Sequence, residues 1–449
     1  MKKTLIVNAK LVNEGKIISS DLLIEGDIIS KIDPFITDAH AKVIDFGGNY
    51  LLPGMIDDQV HFRDPGLTYK GDLVSESKAA IAGGVTSFMD MPNTIPNTLN
   101  RVLLEEKYAL AANKSFANYS FFMGITSKNL DEALRVDNET VCGITDDGLY
   151  FDQEQILANN PEFLEKLFSR SNTLVALHSE DDSIIHANYA KYFKQFKGEI
   201  PMSFHAKIRS VEACLEATKR VLAIQKMYNN RLHFFHISTG AEAKLFPVPT
   251  NKMDKRVTAE ACIHHLWFND SDYENLGPLI KWNPSIKSEA NRIELIQALK
   301  EGRLDIIASD HAPHSSEEKM GTYDQIKSGA PIVQHTMPLL FKLLQKGEIN
   351  IEFIVEKTSH RVADIYKIKN RGYLREGFFA DLIEVDYKLN DPWCVTKDSL
   401  FYKSGWSPLI GEELNTRIKR TFVNGNLIFE NDQFVSDTKG KRLMFSKLR

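Results

Sequence analysis

The chain has 449 residues, of which 43% are hydrophobic and 26% charged, and its formal net charge is -5. This length is enough for a large domain and a smaller one, with the composition of a soluble globular protein. The weak negative charge argues against binding nucleic acid through a broad basic surface, and no apolar run is long enough to span a bilayer. Four scattered cysteines, Cys142, Cys214, Cys262 and Cys394, indicate the reducing cytoplasm rather than a disulfide framework.

The two ends of the chain share one character. Both contain short apolar segments punctuated by turn residues, and Asn424-Gly425 is a typical hairpin signal. We therefore expect residues 1–52 and 375–449 to meet as one small β-domain, a β-sandwich, which brackets a larger domain at residues 53–374.

The centre of the chain alternates apolar segments with helical or loop segments. Eight strand candidates occur in order: LLPGMIDDQVH, TSFMDMPNT, FANYSFFMGIT, TVCGITDDG, TLVALHSED, LHFFHIST, RVTAEACIHH and LDIIASDHAPH. Apolar strands separated by helices indicate a parallel sheet that is buried on both faces. Eight such units predict a (β/α)8 barrel. The rival is a doubly wound open sheet, but the sequence has no glycine-rich dinucleotide or phosphate loop to favour it.

Polar side chains of metal-ligand type follow these apolar segments. They are His61, Asn93, Asp146, Asp147, His178, His236, His264, His265, Asp310 and His311. Because the carboxyl ends of barrel strands meet at one rim, residues far apart in sequence would converge there. Histidine with carboxylate, without clustered thiols, favours zinc or another divalent transition metal. Two metals bridged by one carboxylate would be suited to attack on an amide carbonyl.

Each candidate ligand also has a structural alternative. His178 and His236 could be buried histidines satisfied by backbone groups, and Asp147 could cap the next segment. Their equivalent positions at strand ends favour the ligand interpretation. Asp310 ends an apolar strand, where an unpaired carboxylate would be costly, so a metal or proton partner is expected. Four histidines are expected to pack rather than bind metal: His264, His265, His335 and His360.

The motifs together resemble those of a known family. These are DDQVHFRDPG, MDMPNT, ITDDG, LHSED, HFFHIST, EACIHHLWF, KWNPSIK and SDHAPH. Over nearly its whole length the chain resembles the dihydroorotases of the cyclic amidohydrolase superfamily. The resemblance implies a TIM-like barrel with a small β-domain and reversible cyclisation of N-carbamoyl-L-aspartate to L-dihydroorotate in pyrimidine synthesis. It also implies attack by a metal-activated hydroxide, with Asp310 as the proton carrier.

The resemblance assigns a role to each matching residue. The first metal would be held by Gln59, His61 and Asp310, and the second by His178 and His236. The bridging group would be Asp147, with Asp146 as the alternative, because CGITDDG lacks the lysine that other relatives use. The residues implied to contact the substrate are Arg63, Asn93, Asn283, His314, Ala330 and Pro331. The implied cofactor is Zn²⁺, one or two ions per chain.

Gln59 departs from the family pattern, because a histidine usually stands there. An amide oxygen is a poorer zinc ligand than imidazole, so the first site is expected to be weak or lost. This favours one alternative, an inactive partner of aspartate carbamoyltransferase, whereas the retention of Arg63 and Asp310 argues against it. The other alternative is a hydantoinase, dihydropyrimidinase or allantoinase, but Arg63 indicates a substrate with a carboxylate. The expected partner is a small-molecule substrate, and association as a homodimer or with aspartate carbamoyltransferase is an open expectation.

Overall fold

The computed structural model describes residues 2–149, 156–250, 255–387 and 391–447. Its strands are β1 (Lys3–Asn13), β2 (Lys16–Glu25), β3 (Ile28–Asp33), β4 (Lys42–Asp45), β5 (Tyr50–Pro53), β6 (Met55–Val60), β7 (Val85–Asp90), β8 (Asn118–Phe121), β9 (Met123–Gly124), β10 (Ile144–Thr145), β11 (Val175–Leu177), β12 (Leu232–Phe234), β13 (Val257–Cys262), β14 (Ile306–Ala308), β15 (Leu382–Tyr387), β16 (Trp393–Cys394), β17 (Glu413–Leu414), β18 (Thr416–Val423), β19 (Asn426–Glu430) and β20 (Gln433–Phe434). Its α-helices are α1 (Leu73–Ala82), α2 (Arg101–Lys114), α3 (Leu130–Ala133), α4 (Pro161–Arg170), α5 (Asp182–Gln195), α6 (His205–Ile208), α7 (Val211–Tyr228), α8 (Gly240–Ala243), α9 (Ile263–Trp267), α10 (Tyr273–Leu276), α11 (Glu289–Glu301), α12 (Thr336–Gln345), α13 (Ile351–Val355) and α14 (Arg361–Tyr366).

The central strands form a parallel barrel. One sheet has the order β6-β7-β8, and a second has the order β14-β13-β12-β11-β10-β9, with β8 and β9 separated by a single residue. The barrel closes between its first and last strands, where the amide of His61 donates to the carbonyl of His311 at 2.7 Å. The prediction of a (β/α)8 barrel is therefore confirmed, and each of the eight strand candidates contributes to it.

The first strand candidate, LLPGMIDDQVH, is not the single strand that the sequence predicts. It is two strands that belong to different sheets, β5 in the terminal sheet and β6 in the barrel. Gly54 lies at the break, where a Cβ atom would come within 2.2 Å of the Thr86 side chain. The close approach of Thr86 requires glycine, and the chain passes from one sheet to the other at this point.

The terminal strands form one nine-stranded sheet, as expected for a small β-domain built from both chain ends. Its order is β20-β19-β18-β15-β5-β1-β2-β3, and β4 pairs with β1. The strand β15 from the second end pairs antiparallel with β5 from the first. Buried side chains from both ends, including Ile6, Leu22, Leu382 and Phe422, pack into a core of their own. The division at residues 52 and 375 stays a prediction.

The last described residues return to the barrel. The amide of Tyr119 in β8 donates to the carbonyl of Lys441, and the amide of Leu443 donates back to Tyr119. Leu443 and Phe445 pack with barrel side chains such as Phe235. No helix in the described part of the chain has the length and apolarity needed to cross a membrane.

Candidate active site

Asp147 lies at the centre of the predicted ligands. Its Oδ1 atom is 3.6 Å from His178 Nδ1 and 3.6 Å from His236 Nε2. Its Oδ2 atom is 3.4 Å from His61 Nε2, which in turn is 3.3 Å from Asp310 Oδ1. The carboxylate therefore faces two groups of side chains, which we call the His178 half (His178 and His236) and the His61 half (Gln59, His61 and Asp310).

The neighbouring carboxylate of Asp146 is engaged elsewhere. It accepts hydrogen bonds from the backbone amides of Leu157 at 2.9 Å and His178 at 3.2 Å. These bonds tie the loop after β10 to the end of β11. Of the two aspartates, the geometry favours Asp147 as the bridging group and gives Asp146 a structural task.

The residues of the His178 half fit a divalent metal ion. Ligand atoms of Asp147, His178 and His236 all lie within 4.8 Å of one another. The His178 Nδ1 and His236 Nε2 atoms are 3.0 Å apart, so the two imidazoles converge on the Asp147 carboxylate. Burial raises the pKa of Asp147, but His178 and His236 outweigh it and hold that pKa well below its usual range. An ionised carboxylate and two imidazoles are a typical donor set for zinc.

Gln59 changes the chemistry of the His61 half. Its Nε2 atom lies 3.4 Å from Asp147 Oδ2, and its Oε1 atom accepts from the thiol of Cys262 at 3.3 Å. In this arrangement the amide oxygen is turned toward the thiol rather than toward His61. His61 Nε2 lies within 3.4 Å of both the Asp147 and the Asp310 carboxylates, but Gln59 presents to Asp147 an amide N–H, which cannot bind a cation.

Glu180 fixes the orientation of His178. Its carboxylate contacts His178 Nε2 at 2.8 Å and is paired with Arg209. Burial raises the pKa of Glu180, but Arg209 and then His178 outweigh it and hold that pKa well below its usual range. The ionised carboxylate accepts the Nε2–H of His178, which leaves Nδ1 to face Asp147.

Three of the predicted site residues have left-handed backbone conformations. The φ angles are 68° at Arg63, 37° at His236 and 48° at Asp310. Such conformations cost non-glycine residues about 1–3 kcal/mol each and concentrate where side-chain placement matters for function. Each of these residues lies two or three positions beyond the last residue of a barrel strand, so the unusual backbone falls where the rim begins.

A cavity of about 420 Å³ opens above the ligands. Seven predicted site residues line it: His61, Arg63, Asn93, Asp147, Asn283, Asp310 and His314. The Nε2 atom of His314 is 3.3 Å from an Arg63 guanidinium nitrogen. Asn93 also contacts the centre directly, because its Oδ1 atom is 2.9 Å from His61 Nδ1.

The other predicted residues lie outside this cavity lining. Ala330 is fully buried, and its carbonyl accepts from the amide of Ala312 at 3.1 Å, while the preceding Gly329 reaches the cavity. The role of Ala330 and Pro331 as substrate contacts stays a prediction. His264 stacks on Trp282, His265 bonds to the Pro284 carbonyl, His335 contacts Tyr402 and His360 bonds to the Glu14 amide.

Sequence reasoning missed several charged residues at the cavity. Lys70 contacts His314 Nδ1 at 3.1 Å and pairs with Glu318, also at 3.1 Å. Burial first, and then Arg63, lowers the pKa of Lys70 to about 8. The sequence signal was weak, because Lys70 lies in a loop beyond the DDQVHFRDPG motif. Glu180, which contacts His178 rather than the cavity, was easier to predict from the sequence, because it follows His178 within the motif LHSED.

Comparison with known protein families identifies the family to which the chain belongs. Residues 50–428 match the Amidohydrolase family, and the chain belongs to that family of metal-dependent hydrolases.

Individual relatives give a more specific comparison than the family as a whole. The chain is 31% identical over 434 residues to a dihydroorotase of Carboxydothermus hydrogenoformans, covering 94% of this chain and 96% of that one. It is also 31% identical over 444 residues to a dihydroorotase of Pyrococcus furiosus, covering 97% and 96%. Among solved structures, an L-hydantoinase (dihydropyrimidinase) from Arthrobacter aurescens matches with a TM-score of 0.90 at 23% identity, covering 99% of this chain and 100% of that one. At that identity the structural match supports the fold alone.

Proposed function

We propose that the protein is a dihydroorotase, which interconverts N-carbamoyl-L-aspartate and L-dihydroorotate. The observation that carries the proposal is that the buried side chain of Arg63 has no paired carboxylate. Its side chain is buried, with 5% of the residue exposed, and it lines the cavity together with Asp310. Among the described residues no carboxylate lies within ion-pair distance of it. Asp90, Glu318 and Asp310 are near enough to act on its charge, but none pairs with it directly. A substrate carboxylate would supply that direct pair to a buried guanidinium.

The hydrogen bonds of Arg63 leave room for that carboxylate. Nε donates to the Pro313 carbonyl at 3.1 Å, and Nη2 lies 3.3 Å from His314. The Nη1 atom makes no hydrogen bond to any residue in the described ranges. Dihydroorotate and carbamoyl aspartate carry a carboxylate on the ring or chain, whereas plain hydantoins and dihydrouracil do not.

Asp147, His178 and His236 would hold one zinc ion, and His61 with Asp310 would complete a second, weaker site. The chemistry that a divalent ion supplies at such a centre is polarisation of the amide carbonyl and a lower pKa for water. Asp310 accepts the proton of the ureido nitrogen during cyclisation and returns it to that nitrogen during hydrolysis. Arg63 holds the carboxylate, while Asn93 and Asn283 lie where they can orient the ring. A cytoplasmic location and association as a homodimer or with aspartate carbamoyltransferase stay predictions.

Purified protein supplied with zinc should be assayed with dihydroorotate, dihydrouracil and hydantoin in parallel. We expect turnover of dihydroorotate, with kcat/KM at least about tenfold higher than for the uncharged rings, because one charge-assisted contact is worth about 1.5–3 kcal/mol. Arg63→Gln should lose most of this preference. A preference for the uncharged rings would assign a hydantoinase, and no turnover of any of them would favour the inactive partner.

A further inference from the structure

A second group of histidine and carboxylate side chains lies inside the barrel. It consists of Asp58 on β6, His233 on β12 and Glu260 on β13, and we call it the inner cluster. All three residues have no exposed surface. It is separate from the cavity lining, and the reaction proposed above uses none of its members.

The spacing of the inner cluster is that of a metal site. His233 Nε2 is 3.5 Å from Asp58 Oδ2 and 3.3 Å from Glu260 Oε2. Zinc–ligand bonds of about 2.0–2.1 Å in tetrahedral geometry separate neighbouring ligand atoms by about 3.3–3.4 Å. The group in the His178 half has separations of 3.0–3.6 Å. The two clusters are therefore similar in geometry.

The other ring nitrogen of His233 has a partner outside the inner cluster. Nδ1 lies 2.8 Å from the hydroxyl of Thr258, and that hydroxyl donates to the carbonyl of Leu232 at 3.5 Å. The Nε2 atom faces the other way, so one imidazole nitrogen and two carboxylate oxygens converge at one point.

Basic side chains are also scarce around the inner cluster. Among the described residues, His233 is the one basic side chain within ion-pair distance of Asp58 or Glu260. The Oδ2 atom of Asp58 accepts from Tyr366 at 2.7 Å, but its buried Oδ1 atom has no hydrogen-bond partner. Two carboxylates buried in this way need a cation or shared protons.

We propose that the inner cluster binds one divalent transition-metal ion of the zinc class, separate from the candidate active site. The ion would join β6, β12 and β13 within the barrel. It would also support the rim, because the remaining oxygen of Glu260 accepts from the backbone amide of His236 at 3.0 Å. The proposal does not depend on which cyclic amide the enzyme uses.

Anomalous diffraction above and below the zinc absorption edge tests this on the wild-type protein. Crystals of protein purified with zinc chloride should show a peak between His233, Asp58 and Glu260. His178→Ala crystals should keep this peak and lose the one beside Asp147. Metal analysis should find about one ion per chain fewer in Asp58→Asn than in wild type.

Two results would overturn the proposal. One is a wild-type map with a peak beside Asp147 and none at the inner cluster, which would mean that shared protons neutralise the carboxylates. The other is an Asp58→Asn variant with the metal content of wild type. If that variant does not fold, the wild-type map decides alone. Dihydroorotate turnover bears only on the proposed function, so the two proposals can fail independently.

Discussion

The two halves of the candidate metal centre occupy equivalent positions on the barrel rim but differ in their chemistry. The His178 half offers two imidazoles: Glu180 orients that of His178, and Glu260 accepts from the backbone amide of His236. The His61 half offers one imidazole, and Gln59 presents an amide N–H to the shared carboxylate of Asp147. The fold thus fixes where a ligand stands, while the side chain at that position decides whether a cation can bind there.

The largest effect should come from removing one imidazole from each half in turn. His178→Ala should lose most of the zinc bound at the rim and nearly all activity, because it breaks the group that we expect to bind the tighter rim ion. His61→Ala should lose less metal. Both variants should fold, since the side chains lie on the rim rather than in the apolar core, and circular dichroism provides the control. Equal metal loss in both variants would contradict the difference between the halves.

Asp310→Asn should act on the rate more than on metal content. The amide cannot accept and return the proton, so kcat for dihydroorotate should fall about 10²–10⁴-fold, the usual value of general acid–base catalysis. Zinc held by the His178 half should remain. Steady-state kinetics with parallel metal analysis measure both quantities. A near wild-type kcat would remove Asp310 from the proton transfer.

Gln59→His should restore metal binding in the His61 half. Gln59 and His61 lie on the same strand face, and both side chains approach Asp147 Oδ2, so imidazole can be introduced without moving the backbone. The comparison is made in an Asp58→Asn background, which removes any ion from the inner cluster. In that background we expect the metal content to rise from about one to about two ions per chain. Gln59→Asn is the matched control and should not bind more metal. Two tightly bound rim ions in the wild type would show that the present residues already suffice.

A change of charge at Lys70 should alter substrate binding without altering metal binding, and we expect its effect to be the smallest. Because burial and Arg63 lower its pKa to about 8, its positive charge is present below that pH and is lost above it. The groups facing it are Arg63, Glu318 and His314. KM for dihydroorotate should therefore increase as pH rises through about 8, with metal content constant. Lys70→Met should have a higher KM that no longer changes across this range; an unchanged pH profile would assign the titration to another group.

The barrel and the candidate ligands could be predicted from the amino-acid sequence alone. Eight apolar segments, most of them followed by a polar side chain of ligand type, predict parallel strands whose ends meet, since this is a property of local pattern and strand direction. His61, Asp147, His178, His236 and Asp310 could be named for this reason. The departure at Gln59 was equally visible, because the identity of a side chain requires no coordinates.

Which polar groups meet could not be predicted, because it depends on the three-dimensional packing of the chain. Asp146 and Asp147 are adjacent in sequence, and their different partners depend on hydrogen bonds to the amides of Leu157 and His178. The inner cluster joins β6, β12 and β13, whose side chains are brought together by barrel closure rather than by any motif. Contacts of this kind depend on distances between residues remote in the chain, and these distances are set by packing of the whole domain.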